Sequence, residues 1–147
     1  MKEIKLINFT DLSNDEKKII LEWRNNPNIK KWMYTQSDIT LESHLNFIDS
    51  LNNSKDKLYF LVKKEDENIG VIYFTNLTKK EVYFGLYANP TIKVLGVGRI
   101  LEELSIDFCF SFWKYFKIES VQQWVLYSIF IALWFGFIEN ILYFKSI

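Results

Sequence analysis

The sequence predicts an α/β fold, a mixed sheet with helices on both faces, and three observations carry that prediction. Runs that alternate with a period of two, such as Lys2 to Asn8 and Glu81 to Ala88, read as strands. Runs with apolar residues at helical spacing lie between them. At 147 residues the chain is long enough to bury a core in one domain. The expected order is strand, helix, helix, three strands, helix, strand.

Lys2 to Asn8 is the first strand. Ser13-Asn14-Asp15-Glu16 has capping-box spacing, in which serine and glutamate each satisfy the other's backbone donor. The helix it opens turns Ile19, Ile20 and Trp23 inward, and Pro27 ends it. Thr40 caps a second helix, with Leu41, Leu45 and Ile48 on one face and His44, Phe47 and Leu51 on the adjoining one. Leu58 to Val62 and Ile69 to Phe74 flank the charged turn Glu65-Asp66-Glu67-Asn68 and should pair as a hairpin. In Glu81 to Ala88, Tyr83, Gly85 and Tyr87 share a face, which predicts a flat floor between aromatic walls. Asn89-Pro90 breaks that strand. Leu101, Leu104, Phe108 and Phe112 then mark the inner stripe of a helix, with Glu103, Asp107 and Lys114 opposite. Ile118 to Leu126 reads as a buried strand.

Charge balances at 18 basic and 18 acidic residues, so no global field recruits nucleic acid or anionic lipid. One cysteine and one histidine give neither an intramolecular disulfide nor a metal site of the usual Cys/His type. Cys109 falls in an apolar helical run, as core filling. The start Met1-Lys2-Glu3-Ile4-Lys5 is charged and unlike a signal peptide, which predicts a cytoplasmic protein. After Val121 only Glu139 and Lys145 are charged. The uncharged run Trp124 to Ile138 is shorter than the ~20 residues of a membrane span and reads as buried core. Aromatics in this region are compatible with a homo-oligomer.

Between strand and helix lies Lys93-Val94-Leu95-Gly96-Val97-Gly98-Arg99. Two glycines at such a turn let backbone amides face a bound anion, and the helix N-terminus adds partial positive charge. Lys93-x-x-Gly96-x-Gly98 resembles the coenzyme A pyrophosphate loop of the GNAT N-acetyltransferase superfamily. Lysine is a mild departure from the family's arginine or glutamine, keeping charge but not planar donors. Glu22-Trp23-Arg24-Asn25-Asn26-Pro27, Trp32-Met33-Tyr34, His44-Leu45-x-Phe47-Ile48 and Phe84-Gly85-Leu86-Tyr87-Ala88-Asn89-Pro90 look like one branch of it, the acetyltransferases of the pseudaminic acid pathway.

The resemblance covers residues 1–120 of a single GNAT-like domain spanning 1–147, and leaves 121–147 atypical. It implies the acyl-CoA N-acyltransferase fold with a mostly antiparallel central sheet. It also implies acetyl-CoA as cosubstrate, no metal, and as acceptor the 4-amino group of a UDP-linked 4-amino-4,6-dideoxy-N-acetyl-altrosamine used to decorate flagellin. Leu86, Tyr87 and Ala88 would pair with the pantetheine arm, and Lys93, Val94, Gly96, Val97, Gly98 and Arg99 would hold the pyrophosphate. Arg24 and His44 would hold the nucleotide diphosphate. Met33, Tyr34, Phe47, Tyr83 and Tyr87 would wall the sugar and base pocket, with Thr75 and Asn76 donating at a strand end. Each has a plainer structural reading: Arg24 as a helix C-terminal cap, His44 on a helix surface, the apolar residues as core.

The loop does not specify the acceptor, so a protein N-terminus, another small amine, or acetyl-CoA binding without turnover stand as alternatives. The family's acid is a tyrosine four residues before a Gly-Phe pair; four before Gly136 stands Ala132. Tyr127 is then the remaining candidate acid, and no base is assigned. The family's final strand pair has no counterpart before Ile147, which implies a degenerate or frameshifted end.

Overall fold

The computed structural model describes residues 3–78 and 81–115. Met1–Ser111 forms one compact unit and Phe112–Ile147 a second. The expected strand at 118–126, the atypical segment 121–147 and Tyr127 lie outside the described residues.

Strand β1 (Ile4–Asn8) leads through a short 3-10 turn, Phe9–Asp11, into α1 (Asn14–Asn25), α2 (Pro27–Lys30) and α3 (Leu41–Leu51). Strands β2 (Lys57–Lys64), β3 (Glu67–Thr75) and β4 (Tyr83–Ala88) follow, then α4 (Val97–Tyr115). The four strands form one antiparallel sheet in the order β1-β2-β3-β4. A meander of this kind needs only local connections between β2, β3 and β4.

The capping box forms as spaced. The Ser13 hydroxyl accepts from the Glu16 amide at 3.3 Å, and Glu16 Oε2 accepts from the Ser13 amide at 2.9 Å. The other carboxylate oxygen reaches Lys63 of β2 at 2.6 Å, which ties the start of α1 to the sheet. The Lys63 ammonium, with the Ser13 donors, holds the Glu16 carboxyl below its ordinary range. Pro27 does more than end α1: it opens α2 at the first helical position, where its missing N–H costs nothing.

The hairpin also forms, with longer strands and a tighter turn than expected. Glu67 and Asn68 already pair with β2, so Glu65 and Asp66 make the bend, with Glu65 at φ +57. Strand β4 begins at Tyr83, two residues later than expected, because Glu81 folds back on Thr78 in a turn.

Pleating divides the strands between two cores. Leu61 and Val71 face Ile20 and Trp23 of α1 and Ile48 and Leu51 of α3, with Phe9 and Leu12 closing one end. On α3 the buried stripe is His44, Ile48 and Leu51; Leu41, expected inward, is exposed because the stripe begins one turn later. On the opposite face Phe108 of α4 stacks on Phe74 at 4.1 Å between centroids and tilts against Phe60 at 5.7 Å. Such aromatic pairs add roughly 0.5–1.5 kcal/mol each beyond area burial. Leu101, Ser105 and Cys109 are the buried line of α4, and burial pushes the Cys109 thiol up to about 11.

Gly70 sets how closely α4 and β4 approach. A Cβ there would lie 2.6 Å from the Tyr87 carbonyl and 2.7 Å from Leu101 Cδ1. Gly70→Ala is expected to cost about 1–3 kcal/mol, the usual range for overpacking, because the backbone of β4 must yield. The check is urea unfolding. A lower midpoint at unchanged slope is the expected result, and an unchanged midpoint would refute the contact.

Candidate active site

The glycine turn begins where β4 stops. Asn89 is buried and fully engaged: its amide donates to the Ile69 carbonyl, its Nδ2 to the Asn68 carbonyl at 2.8 Å, and its Oδ1 accepts from the Thr91 amide and hydroxyl. The chain leaves the sheet and reaches Gly96, whose φ of +75 lies in the left-handed region that favours glycine. There α4 begins. The Val97 amide goes to the Val94 carbonyl and the Ile100 amide to the Gly96 carbonyl. The helix's own ladder does not use the amide of Gly98 in this first turn. A Cβ at Gly96 or Gly98 would meet nothing within 4 Å, so the turn is open to an approaching ligand. Lys93 is exposed beside it. The Arg99 side chain bonds Glu103 at 2.7 Å along the helix.

Strand β4 is the edge of the sheet among the described residues. The Asn89 amide bonds to Ile69, and antiparallel pairing then turns the backbone of Tyr87 and Gly85 toward β3. The groups of Leu86 and Ala88 therefore point to the outer edge. Of the expected Leu86–Ala88 trio, these two present outward backbone; Tyr87 contributes its ring on the sheet face.

On that face the flat floor predicted around Gly85 is covered. The Tyr73 ring lies where a Gly85 side chain would begin. Tyr73 stacks on Tyr59 at 5.0 Å and 7°, and Phe47 of α3 meets Tyr59 edge-on at 5.0 Å. Tyr83 lies opposite Thr75 across the β3–β4 ladder and is exposed, its hydroxyl donating to Glu81. Thr75 and Asn76 are half-buried at the end of β3, Asn76 at φ +53.

Arg24, in the last turn of α1, faces this aromatic row. Its Nη2 donates to the Thr35 carbonyl at 3.1 Å, while Nη1 is buried with no hydrogen-bond partner. Its charge is felt by the phenols of Tyr59, Tyr73 and Tyr87. Burial outweighs it: the Tyr59 hydroxyl is pushed up to about 12, and those of Tyr73 and Tyr87 rise as well. All three are neutral at pH 7, so no phenolate balances the guanidinium. A buried, unpaired, charged donor is costly to a folded protein unless something completes it. An anionic group of a ligand would do so with a charge-assisted bond.

Met33 is half-buried, and Tyr34 stands fully in solvent, near enough to Tyr73 to raise its pKa. His44, expected on the nucleotide diphosphate with a helix surface as its plainer reading, does not lie on the surface. It is buried, and its Nε2 lies 2.9 Å from the Lys17 carbonyl, joining α3 to α1. Donating there leaves Nδ1 as an acceptor in the neutral ring, and burial lowers the pKa. The expected donation from His44 to a diphosphate would need a second ring proton, against that burial.

The lowered pKa gives a contribution to stability fully present above 6.5, lost as pH falls through the folded-state value. His44→Gln should therefore flatten the fall in melting temperature between pH 6.5 and about 5, a window above most carboxylate titrations. An unchanged slope would remove His44 from the pH response.

Tyr59 and Tyr73 belong to this region and carry no site role in the sequence reading, while Asn25 stands there within the Glu22–Pro27 motif. The alternation that pairs Tyr59 with Leu61 on one face was available. Its register against Tyr73 depends on the two-residue bend at Glu65. Among the described residues no three metal-ligating side chains gather, and no helix is long and apolar enough to cross a membrane.

No family model matches the chain. An acetyltransferase PseH of Campylobacter jejuni subsp. jejuni is 42% identical over 122 residues, 83% of this chain and 74% of that protein. The crystal structure of the C. jejuni N-acetyltransferase PseH in complex with acetyl coenzyme A is similar at a TM-score of 0.58 and 41% identity, over 74% of this chain and 68% of that one. A spermidine N-acetyltransferase from Vibrio cholerae, in complex with CoA and spermine, shares the fold at a TM-score of 0.64 and 18% identity, over 74% of this chain and 64% of that one. The open glycine turn before α4, the antiparallel meander and the 42% identity make this chain a member of the PseH family of GNAT N-acetyltransferases.

Proposed function

We propose that the protein moves the acetyl group of acetyl-CoA to the 4-amino group of UDP-4-amino-4,6-dideoxy-N-acetyl-altrosamine, a step of pseudaminic acid biosynthesis for flagellin glycosylation. The observation that carries the acceptor side is the buried, unpartnered Nη1 of Arg24 beside an aromatic row. A nucleotide diphosphate supplies the missing acceptor, and Met33, Tyr34, Phe47, Tyr83 and Tyr87 offer apolar walls for base and deoxysugar. Thr75 and Asn76 stand at the same sheet end. His44 serves this reading from the core, by holding α3 against α1.

On the donor side, the start of α4 at Gly98 and Arg99 would face the pyrophosphate, with Gly96 bending the chain into place, Val97 closing the turn on Val94, and Lys93 and Val94 leading to it. Leu86 and Ala88 offer outward backbone to the pantetheine amides. The amine attacks the thioester carbonyl, its nitrogen loses a proton, and the sulfur leaves as thiolate. Holding both reactants in one complex supplies much of the acceleration. Tyr127, the candidate acid for that thiolate, lies outside the described residues. We take 1–147 as one acetyltransferase domain working in the cytoplasm on a small-molecule nucleotide sugar.

Release of CoA thiol tests the reading. Turnover should require both acetyl-CoA and the UDP-amino-sugar, and free UDP should inhibit competitively against the sugar. Release with an N-terminal peptide instead, or indifference to UDP, would overturn the acceptor assignment.

A further inference from the structure

Segment 31–40 carries Met33 and Tyr34 and connects α2 to α3. Its first end is held by the turn after α2, where the Trp32 and Met33 amides bond to the Ile29 and Lys30 carbonyls. Its far end is held by the Lys30–Asp38 ion pair and, at Ile39, by the side chain of Asn25. The Asn25 carboxamide donates from Nδ2 to the Ile39 carbonyl at 2.9 Å and accepts the Ile39 amide on Oδ1 at 2.9 Å. Both backbone groups of Ile39 are thus satisfied as a neighbouring strand would satisfy them. Thr40, next in the chain, caps α3 through the Ser43 amide. Between the two ends, the Thr35 carbonyl receives Nη2 of Arg24, the neighbour of Asn25 in α1.

We propose that Asn25 is a positioning residue for the nucleotide-sugar site. It fixes the returning end of segment 31–40, which sets the Thr35 carbonyl against Arg24 and leaves Nη1 aimed at the acceptor. This rests on the reading of Arg24 and segment 31–40 as the acceptor side. The donor side is built from β4 and the start of α4, whereas both side-chain bonds of Asn25 go to Ile39. Its loss is therefore felt by one substrate. Alanine is a good helix former at the end of α1, so the substitution leaves the helix itself intact.

The experiment is Asn25→Ala in the full chain, with steady-state kinetics on both substrates and hydrogen exchange at the Ile39 amide. The expected result is a KM for the UDP-amino-sugar raised roughly 10-fold, within the range misplacement of a substrate-holding group produces. The kcat and the acetyl-CoA affinity stay within about two-fold. Exchange at Ile39 accelerates while protection in β2 and β3 is kept. An unchanged KM, or a parallel loss of acetyl-CoA affinity and kcat, overturns the positioning role. Unchanged Ile39 exchange in an active variant overturns the clamp alone. Absence of turnover by the wild-type protein overturns the acceptor reading itself, and the positioning role with it, before Asn25 is altered.

Discussion

Gly98→Glu is expected to abolish acetyl-CoA binding and leave the fold standing. Gly98 lies in the first turn of α4, and a side chain there meets nothing within 4 Å. A carboxylate near a helix N-terminus is favourable by about 0.3–1 kcal/mol, so the free protein should melt at or slightly above the wild-type temperature. Bound pyrophosphate needs that same ground and charge field. The glutamate occupies the space and places negative charge against negative charge, which should weaken binding by about 10²-fold or more. A ligand at 100 times its dissociation constant raises stability by about 2.7 kcal/mol, so the loss is readable as a missing thermal shift. Gly96→Glu is the contrasting variant. Its φ of +75 strains any side chain, so it should destabilise the free protein as well. An undiminished acetyl-CoA shift in Gly98→Glu would move the cradle elsewhere.

Arg24→Met should lower kcat/KM for the nucleotide sugar by about 10²-fold while acetyl-CoA affinity holds. Charge-assisted hydrogen bonds contribute roughly 1.5–3 kcal/mol each, and one such bond at Nη1 accounts for that loss. Stability responds in the opposite sense to most truncations. The free protein keeps a buried guanidinium nitrogen without an acceptor, and methionine fills similar space without that cost. The melting temperature of Arg24→Met should equal or exceed that of the wild type. Arg24→Lys should recover little activity, since an ammonium has no fork to reach Thr35 and a diphosphate together. Stopped-assay kinetics on both substrates and a melting curve decide the case. A KM that rises for acetyl-CoA instead would place Arg24 on the donor side.

How much was legible in advance depended on how far apart the interacting residues lie. Ser13 and Glu16 are three residues apart, and their mutual capping needed no tertiary knowledge. The β2–β3 hairpin, the break at Asn89-Pro90 and the glycine turn into α4 are equally local, and each forms, though the hairpin bends over Glu65 and Asp66 alone rather than over the four residues expected. Expectations failed where a helix face had to choose its neighbour. Leu41 and His44 are both compatible with an amphipathic α3, and only docking against α1 turned the histidine in and the leucine out. Gly85 looked open because its strand neighbours are tyrosines; the ring that covers it comes from β3.

The sequence by itself determined the order of the described elements apart from α2, the capped starts of α1 and α3, the hairpin and the glycine turn, because each rests on contacts within a few residues. Tertiary structure alone decided that Arg24 faces Tyr59, Tyr73 and Tyr87 with a nitrogen unpaired, that Asn25 grips Ile39, and that β4 turns Leu86 and Ala88 outward. The physical reason is common to all three. Burial and hydrogen-bond partnership belong to the space between elements, and the sheet register that sets that space is fixed only when the strands pair.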